Sequence, residues 1–579
     1  MKTIVRLLKQ INLVKFQFII GIVLLLSSSL ANVISPLIIK NIIDNIITPV
    51  TNGNILNSLL LKNYIILFLI CTFLYIIAGY LSTLILTNCT NLICENLRNN
   101  AFITIQNLPI SYFDNKPAGQ ISSRIINDIE TLRKTFYITC INQIFVQILN
   151  ISMTYIAIFY LNFKFGIILL MLIPIFIIWN NFYGKKINSM MKLFYESQSE
   201  INTQVNETID GISIIQLFNQ EKNIKDKFFN TSKTMQDAGL RLLHVDSTIS
   251  WSLVDLLQRI FIFIIIFFIT HSFLNNSIIS TGFLFLMLEY IVKLFTSLGM
   301  LVSLFPNIGS SITTGERIFE FLDTKFEENN KNKIEILEGK LEFKNVYFSY
   351  KEGFPILKNI SFTANKGDTI ALVGNTGSGK TSIINLIFRF YDPQSGEILI
   401  DGQNIKNFNK ESIRDKMGIV LQEPYLFTGT IASNISMNNK DIDETKILTA
   451  LEKIGAMEMI KKLPKGINEE VIEKGNSLSS GEKQLISFAR TLATNPKILI
   501  LDEATSHIDT ETEEIIQNAM NVLKNGRTTF IIAHRLSTIK DANLILVLEN
   551  GEIIEKGTHE ELLNLGGKYS KLYKIQQKI

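Results

Sequence analysis

The run Gly374–Thr381, "GNTGSGKT", packs glycines, a lysine and a hydroxyl into one short stretch. Glycines let successive backbone N–H groups curl toward an anion, and a helix starting just after adds its positive end. Apolar "TIALV" precedes the run and helix-forming "TSIINLIFRF" follows it, the strand–loop–helix setting that such a loop needs. Lys380 would reach the β- and γ-phosphates of a nucleoside triphosphate, and the Thr381 hydroxyl would hold Mg²⁺. Downstream, "ILILDEATSHID" carries an apolar strand into Asp502 and Glu503. There Asp502 is expected to hold the magnesium through water, and Glu503 to polarise a water toward the γ-phosphate. A plain glycine turn or a solvated acidic turn would explain either run alone, but not the two together. The chemistry implied is ATP hydrolysis.

The elements that must position these residues fall into two regimes. At 579 residues the chain exceeds a single hydrophobic core. It is 47% hydrophobic, and its net charge of +4 includes no dense Lys/Arg block, which argues against a nucleic-acid partner. Cys71, Cys89, Cys94 and Cys140 all lie in the apolar half without metal-type pairing, and read as buried apolar thiols. The N-terminal "MKTIVRLLKQINLVKFQF" lacks a cleavage site and reads as a retained interfacial helix leading into a span.

Six apolar stretches reach the roughly 20 residues that a transmembrane helix needs. They fall near 16–38, 64–86, 138–161, 165–183, 253–273 and 281–305. Long polar stretches follow the second (88–135) and the fourth (184–250), and these carry the Lys and Arg residues, among them Arg98, Arg133, Lys185 and Lys225. By the positive-inside tendency these stretches and both termini are cytoplasmic. Few helix breakers and helical apolar spacing make each a hairpin that extends the spans, with tips at "YFDNKPAGQISSR" and "NETIDGISIIQ". From about 310 the composition turns charged, then becomes short β-branched runs alternating with helical segments. That pattern is a soluble α/β domain with a largely parallel sheet. The expected fold is therefore an α-helical polytopic membrane domain over 1–310, a loop-like linker over 311–338, and an α/β P-loop ATPase domain over 339–579.

Taken in order, these motifs resemble the ATP-binding cassette exporters, in half-transporter form: six spans followed by one nucleotide-binding domain. Tyr350, closing "VYFSY", resembles the aromatic that stacks on adenine. The phosphate loop follows as Gly374, Asn375, Thr376, Gly377, Ser378, Gly379, Lys380, Thr381 and Ser382. Gln422 in "VLQEPYLF" resembles the glutamine linked to Mg²⁺ and to coupling, and Glu473 the acidic residue of the exporters' cross-linking loop. "LSSGEKQ" from Leu478 stands at the family signature, with Ser479 and Gly481 in its phosphate-touching positions. Asp509 resembles the aspartate that signals across the dimer, and His534 the γ-phosphate sensor. The resemblance implies two such domains sandwiching two ATP molecules, each between one subunit's phosphate loop and the other's signature. It implies export of a hydrophobic or amphipathic drug, lipid or peptide by alternating access across the cytoplasmic membrane. An ATP-gated channel and a dedicated peptide exporter are the alternatives. Glu503 disfavours the first, and the roughly 15 residues before the first span leave no room for the peptide exporters' protease domain.

The signature departs from the family's L-S-G-G-Q: Ser480 replaces a glycine and Glu482 a glutamine. Glu482 is expected to bring a carboxylate near a polyanion, a handicap that favours a heterodimer over a homodimer. Within the spans, Asp255 with Arg259 and Glu289 with Lys293 stand at i,i+4 spacing. Each pair is expected to neutralise itself along one helix, with cargo contact as the alternative.

Overall fold

The structure is a computed structural model. It describes residues 2–53, 55–114, 116, 118–249, 251–274, 280–304, 306–327, 332–336, 338–351, 353–502, 510–532 and 539–576. The chain divides into two compact units, Met1–Leu108 with Lys116–Lys325, and Pro109–Asn115 with Phe326–Ile579.

The first unit is helical. Six helical runs are long and apolar enough to cross a membrane: α1 (Lys2–Thr51), α2 (Ser58–Asn107), α3 (Gly119–Leu161), α4 (Phe163–Asp210), α5 (Glu221–Phe268) and α6 (Thr281–Leu322). Runs of 42 to 50 residues far exceed the ~20 that hydrocarbon requires, so each continues as a helical arm past its span. Burial from water does not drive helix association in lipid, so such helices associate through close backbone approach and hydrogen bonds. The Ser82 hydroxyl donates to Gly21 O at 2.8 Å, and the Ser28 hydroxyl to Tyr75 O at 3.0 Å, stitching α1 to α2. At the α1–α6 contact, the Asp44 carboxylate accepts from Ser280 Oγ at 2.8 Å and from Gly282 N at 2.9 Å, capping the start of α6. Lys40, 3.0 Å away, balances the Asp44 charge.

Two expectations are corrected here. The stretch 311–338, read as a loop-like linker, is helical through Pro306–Leu322. Ser311, Thr314, Ile318 and Phe321 form a buried stripe at helical spacing, two of its members small and polar, so composition concealed it. The N-terminal turns pack there: the Arg6 guanidinium lies 4.1 Å from the Phe319 ring centre and pairs with Asp323 at 2.7 Å. The second correction concerns the intramembrane charges. Arg259 Nε does donate to Asp255 Oδ2 at 3.1 Å. Lys293 forms no ion pair with Glu289 among the described residues. Its ammonium instead donates to Asn32 O at 2.6 Å and Asn32 Oδ1 at 2.9 Å, on α1.

The second unit is α/β. In chain order it contains β1 (Leu341–Phe348), β2 (Leu357–Ala364), β3 (Thr369–Gly374), α7 (Lys380–Ile387), β4 (Ser395–Ile400), β5 (Gln403–Asn404), β6 (Met417–Val420), β7 (Gly429–Thr430), α8 (Ile431–Ser436) and β8 (Glu470–Val471). α9 (Ser480–Ala493), β9 (Ile498–Asp502), α10 (Thr510–Lys524), β10 (Thr528–Ile532), β11 (Leu544–Glu549) and β12 (Glu552–Gly557) follow. The main sheet has the order β12-β11-β3-β10-β9-β6, parallel except at β11–β12. Its strands β3, β9, β10 and β11 are apolar on both faces and alternate sides residue by residue. Ala371 and Val373 enter one core, Ile370 and Leu372 the other; Leu499 and Leu501 oppose Ile498 and Ile500 in the same way. A smaller antiparallel sheet, β2-β1-β4-β5, packs beside it.

A Cβ at Gly282 would stand 2.5 Å from Asp44 Oδ1 and 2.6 Å from Lys40 O. Gly282→Ala is therefore expected to push α6 off α1 and cost about 1–3 kcal/mol of stability. A drop in the thermal unfolding midpoint of the purified protein in nanodiscs checks this, and an unchanged midpoint refutes it.

Candidate nucleotide site

The phosphate loop begins where β3 ends. Gly377 and Gly379 take φ of +82° and +108°, a region that disfavours side chains. A Cβ at Gly379 would also meet the Leu357 side chain at 2.6 Å, so only glycine closes the turn onto α7. Gly379 offers no side-chain cap, which leaves the first N–H groups of α7 available to an anion. Lys380 is 8% exposed, and its Nζ donates to Gly374 O at 2.7 Å and Asn375 O at 3.0 Å, holding the ammonium across the loop. Burial pushes its pKa below the ordinary value, and the Asp502 charge opposes that shift. A partly desolvated ammonium attracts phosphate more strongly than a hydrated one. The Ser378 hydroxyl is buried without a hydrogen-bond partner among the described residues. Uncapped amides, a lone buried hydroxyl and a poised ammonium form a donor set that fits a triphosphate.

The sheet order decides what else can reach this place. β3, β10, β9 and β6 run parallel as neighbours, so their carboxyl ends share one edge. Gly374 ends β3, Asp502 ends β9 opposite Ile532, and the exposed Gln422 follows β6. Thr381 is exposed in the first turn of α7. Thr381, Gln422 and Asp502 are the hard oxygen donors with which Mg²⁺ would be held. Glu503, Asp509 and His534 lie outside the described residues, as does the side chain of Glu473.

Tyr350 comes to the same loop. Its hydroxyl lies 3.3 Å from Ser382 Oγ and accepts from Asn385 Nδ2 at 2.9 Å, both on α7. Phe348 and Tyr391 meet its ring edge-on at 4.8 and 4.9 Å, leaving it 41% exposed for stacking. The Tyr391 hydroxyl in turn donates to Asp114, in the first hairpin tip, whose residues Pro109–Asn115 pack with this unit. Sequence reasoning missed Tyr391 because no motif spacing links it to either partner.

At the signature, Ser479 caps α9 in a reciprocal box. Its hydroxyl accepts from Glu482 N at 3.2 Å, while Glu482 Oε2 accepts from Ser479 N at 2.8 Å. The Glu482 carboxylate thus folds onto the start of α9 and offsets the positive end of that helix, with Gly481 buried beneath it. Arg490, from the same helix, ties α8 to the loop beyond Gln422: Nε donates to Asn434 O on α8 at 2.8 Å, and a terminal nitrogen to Tyr425 O at 3.1 Å. It too was invisible to motif reading.

Comparison with known proteins agrees with this geometry. Residues 18–298 match the family model for the ABC transporter transmembrane region, and 357–506 that for the ABC transporter. The chain is 45% identical to the "Probable multidrug resistance ABC transporter ATP-binding/permease protein YheH" of Bacillus subtilis, across 84% of this chain and 72% of that one. The chain belongs to the ABC transporter family. An "ATP-dependent lipid A-core flippase" of Haemophilus ducreyi is 32% identical to this ABC transporter over 99% of this chain and 98% of that one. A bacterial Atm1-family ABC exporter solved with ATP bound aligns with TM-score 0.82 at 25% identity, covering 98% and 99% of the two chains. This half-transporter of the exporter type binds ATP and couples its hydrolysis to transport.

Lys380→Ala should remove the phosphate grip. ATP turnover is expected to fall by about two orders of magnitude or more, while the unfolding midpoint stays near wild type. Steady-state phosphate release measures it, and retained turnover would refute the role.

Proposed function

We propose that this exporter moves hydrophobic or amphipathic molecules, drugs or lipids, out across the cytoplasmic membrane as one half of a heterodimer. The observation that carries the cargo class is an apolar cavity of about 430 Å³ between α3, α4 and α6. Ile151, Ile173, Phe176 and Leu298 line it, and Ser152 and Asn181 are its polar residues. A wall of this kind holds carbon-rich ligands by burial and orients them with few polar contacts. The names of the Bacillus and Haemophilus relatives, one multidrug and one lipid, support the same class.

In this reading the phosphate loop, Lys380 and Ser382 bind the triphosphate, and Tyr350 stacks on the base. Thr381, Gln422 and Asp502 would hold Mg²⁺, which would supply charge neutralisation at the phosphates. Glu503 takes the proton from the attacking water, His534 senses the γ-phosphate, and Asp509 signals across the dimer. Binding closes paired nucleotide domains and hydrolysis reopens them. The second hairpin tip, with Ile214 61% and Leu217 78% exposed, is apolar surface suited to docking on a partner's nucleotide domain. The hairpins and both termini face the cytoplasm, where their Lys and Arg residues belong.

The heterodimer rests on Glu482. Its carboxylate sits at the helix start that a partner's γ-phosphate must approach, and like charge there weakens closure. Two copies of this chain would carry the handicap in both sites. In a heterodimer this signature would complete a slow, regulatory site, while this chain's own phosphate loop meets an unaltered signature in the fast one. The test is to reconstitute the subunit alone, and with the product of an adjacent homologous gene, and to follow lipophilic dye uptake into inverted vesicles. Transport is expected only from the pair. A fully active homodimer, unmoved by Glu482→Gln with Ser480→Gly, would end the idea.

Ile214→Asp in the second tip is expected to leave ATP binding intact and to uncouple hydrolysis from transport. Transport and ATPase activity falling strictly in parallel would argue against a coupling contact.

A further inference from the structure

Helix α1 carries Pro36 in its interior, and proline has no N–H to give the carbonyl four residues back. That carbonyl is Asn32 O. It belongs to the half-buried Asn32, within the stretch read as the first span, where an unpaired carbonyl is costly. The replacement comes from another helix: Lys293 Nζ reaches Asn32 O at 2.6 Å and the Asn32 side-chain oxygen at 2.9 Å. One turn earlier on α6, the fully buried Tyr290 hydroxyl donates to Val33 O at 2.8 Å. Two donors from one turn of α6 therefore hold two adjacent carbonyls beside the break in α1. The carboxylate of Glu289, the i−4 neighbour of Lys293, acts on the ammonium through its charge and not through a direct ion pair among the described residues.

We propose that Lys293 and Tyr290 are positioning residues of the transport cycle: Lys293 supplies the one hydrogen bond that Pro36 removes, Tyr290 adds a second at the next carbonyl, and together they fasten α1 to α6 at a point where α1 can bend. A helix with an uncapped proline break is weak in bending, because the ladder is interrupted and the ring crowds the preceding turn. While the clasp holds, α1 and α6 move as one body. When it opens, the bend in α1 is released. The proposal depends on the exporter architecture alone and not on which cargo is carried.

A direct role for Lys293 as a cation toward cargo predicts something different, and the proline separates the two. Pro36→Ala restores an N–H opposite Asn32 O, so the break no longer needs a clasp. In the full transporter reconstituted in nanodiscs and vesicles, Lys293→Met is expected to lower ATP-driven dye transport about tenfold, the order of one lost hydrogen bond to a charged donor. The KM for ATP should stay unchanged while the coupled rate falls. Lys293→Arg should recover part of the loss. Pro36→Ala combined with Lys293→Met should match Pro36→Ala alone, in transport and in expression level. Asn32→Ala, which keeps the backbone oxygen, should cost less than Lys293→Met. Wild-type transport by Lys293→Met would overturn the proposal. So would a double variant that remains as impaired, or as poorly expressed, as Lys293→Met alone, an outcome that assigns Lys293 to cargo or to folding.

Discussion

A backbone amide or carbonyl deprived of its helical partner is costly wherever water is excluded, and both units of this chain are organised around such groups. In the nucleotide unit, the glycines around Gly377 and Gly379 hold a helix start open, its first N–H groups unclaimed by any cap. The rest of that unit, from the two-faced parallel sheet to the buried Lys380, holds this open start in place. In the membrane unit the deprived group is a carbonyl, and the remedy is a side chain from a second helix. One unit presents orphaned donors to a ligand; the other hides an orphaned acceptor from lipid.

The same physics explains why the signature helix differs from the phosphate-loop helix. The two helices start differently: α7 begins on an uncapped glycine, whereas α9 begins on a serine–glutamate box. A closed box satisfies the amides internally and places negative charge on the positive pole of the helix. One helix start is built to attract a polyanion, the other to be self-sufficient.

Much of this was legible in the sequence, and what was not has identifiable causes. The strand–loop–helix around Gly374 and the strand into Asp502 announce themselves because glycine geometry and period-two apolarity are local properties. The six spans are legible because hydrocarbon thickness fixes their length and composition. The extension of α6 to Leu322 was hidden because Ser311 and Thr314 are buried but not apolar. The partner of Lys293 was misread because i,i+4 spacing sees only a residue's own helix, whereas the demand came from Pro36 on another. Tyr391 and Arg490 were missed for a related reason: each joins segments far apart in sequence, and nothing local marks it. Glu482 sits between these cases, since S-x-x-E is a readable capping pattern, yet the family comparison drew attention to its charge and away from its hydrogen bond.

The exposed tip of the second hairpin has a cost that falls outside transport. A lone subunit carries Ile209, Ile214, Leu217 and Phe218 well over half exposed on a segment rich in helical arms and poor in charge. Such a patch is the kind of surface that chaperones and proteases engage and that drives nonspecific association. A chain whose tip is left uncovered is therefore open to degradation and aggregation, so whatever covers the tip protects the chain as well as coupling it.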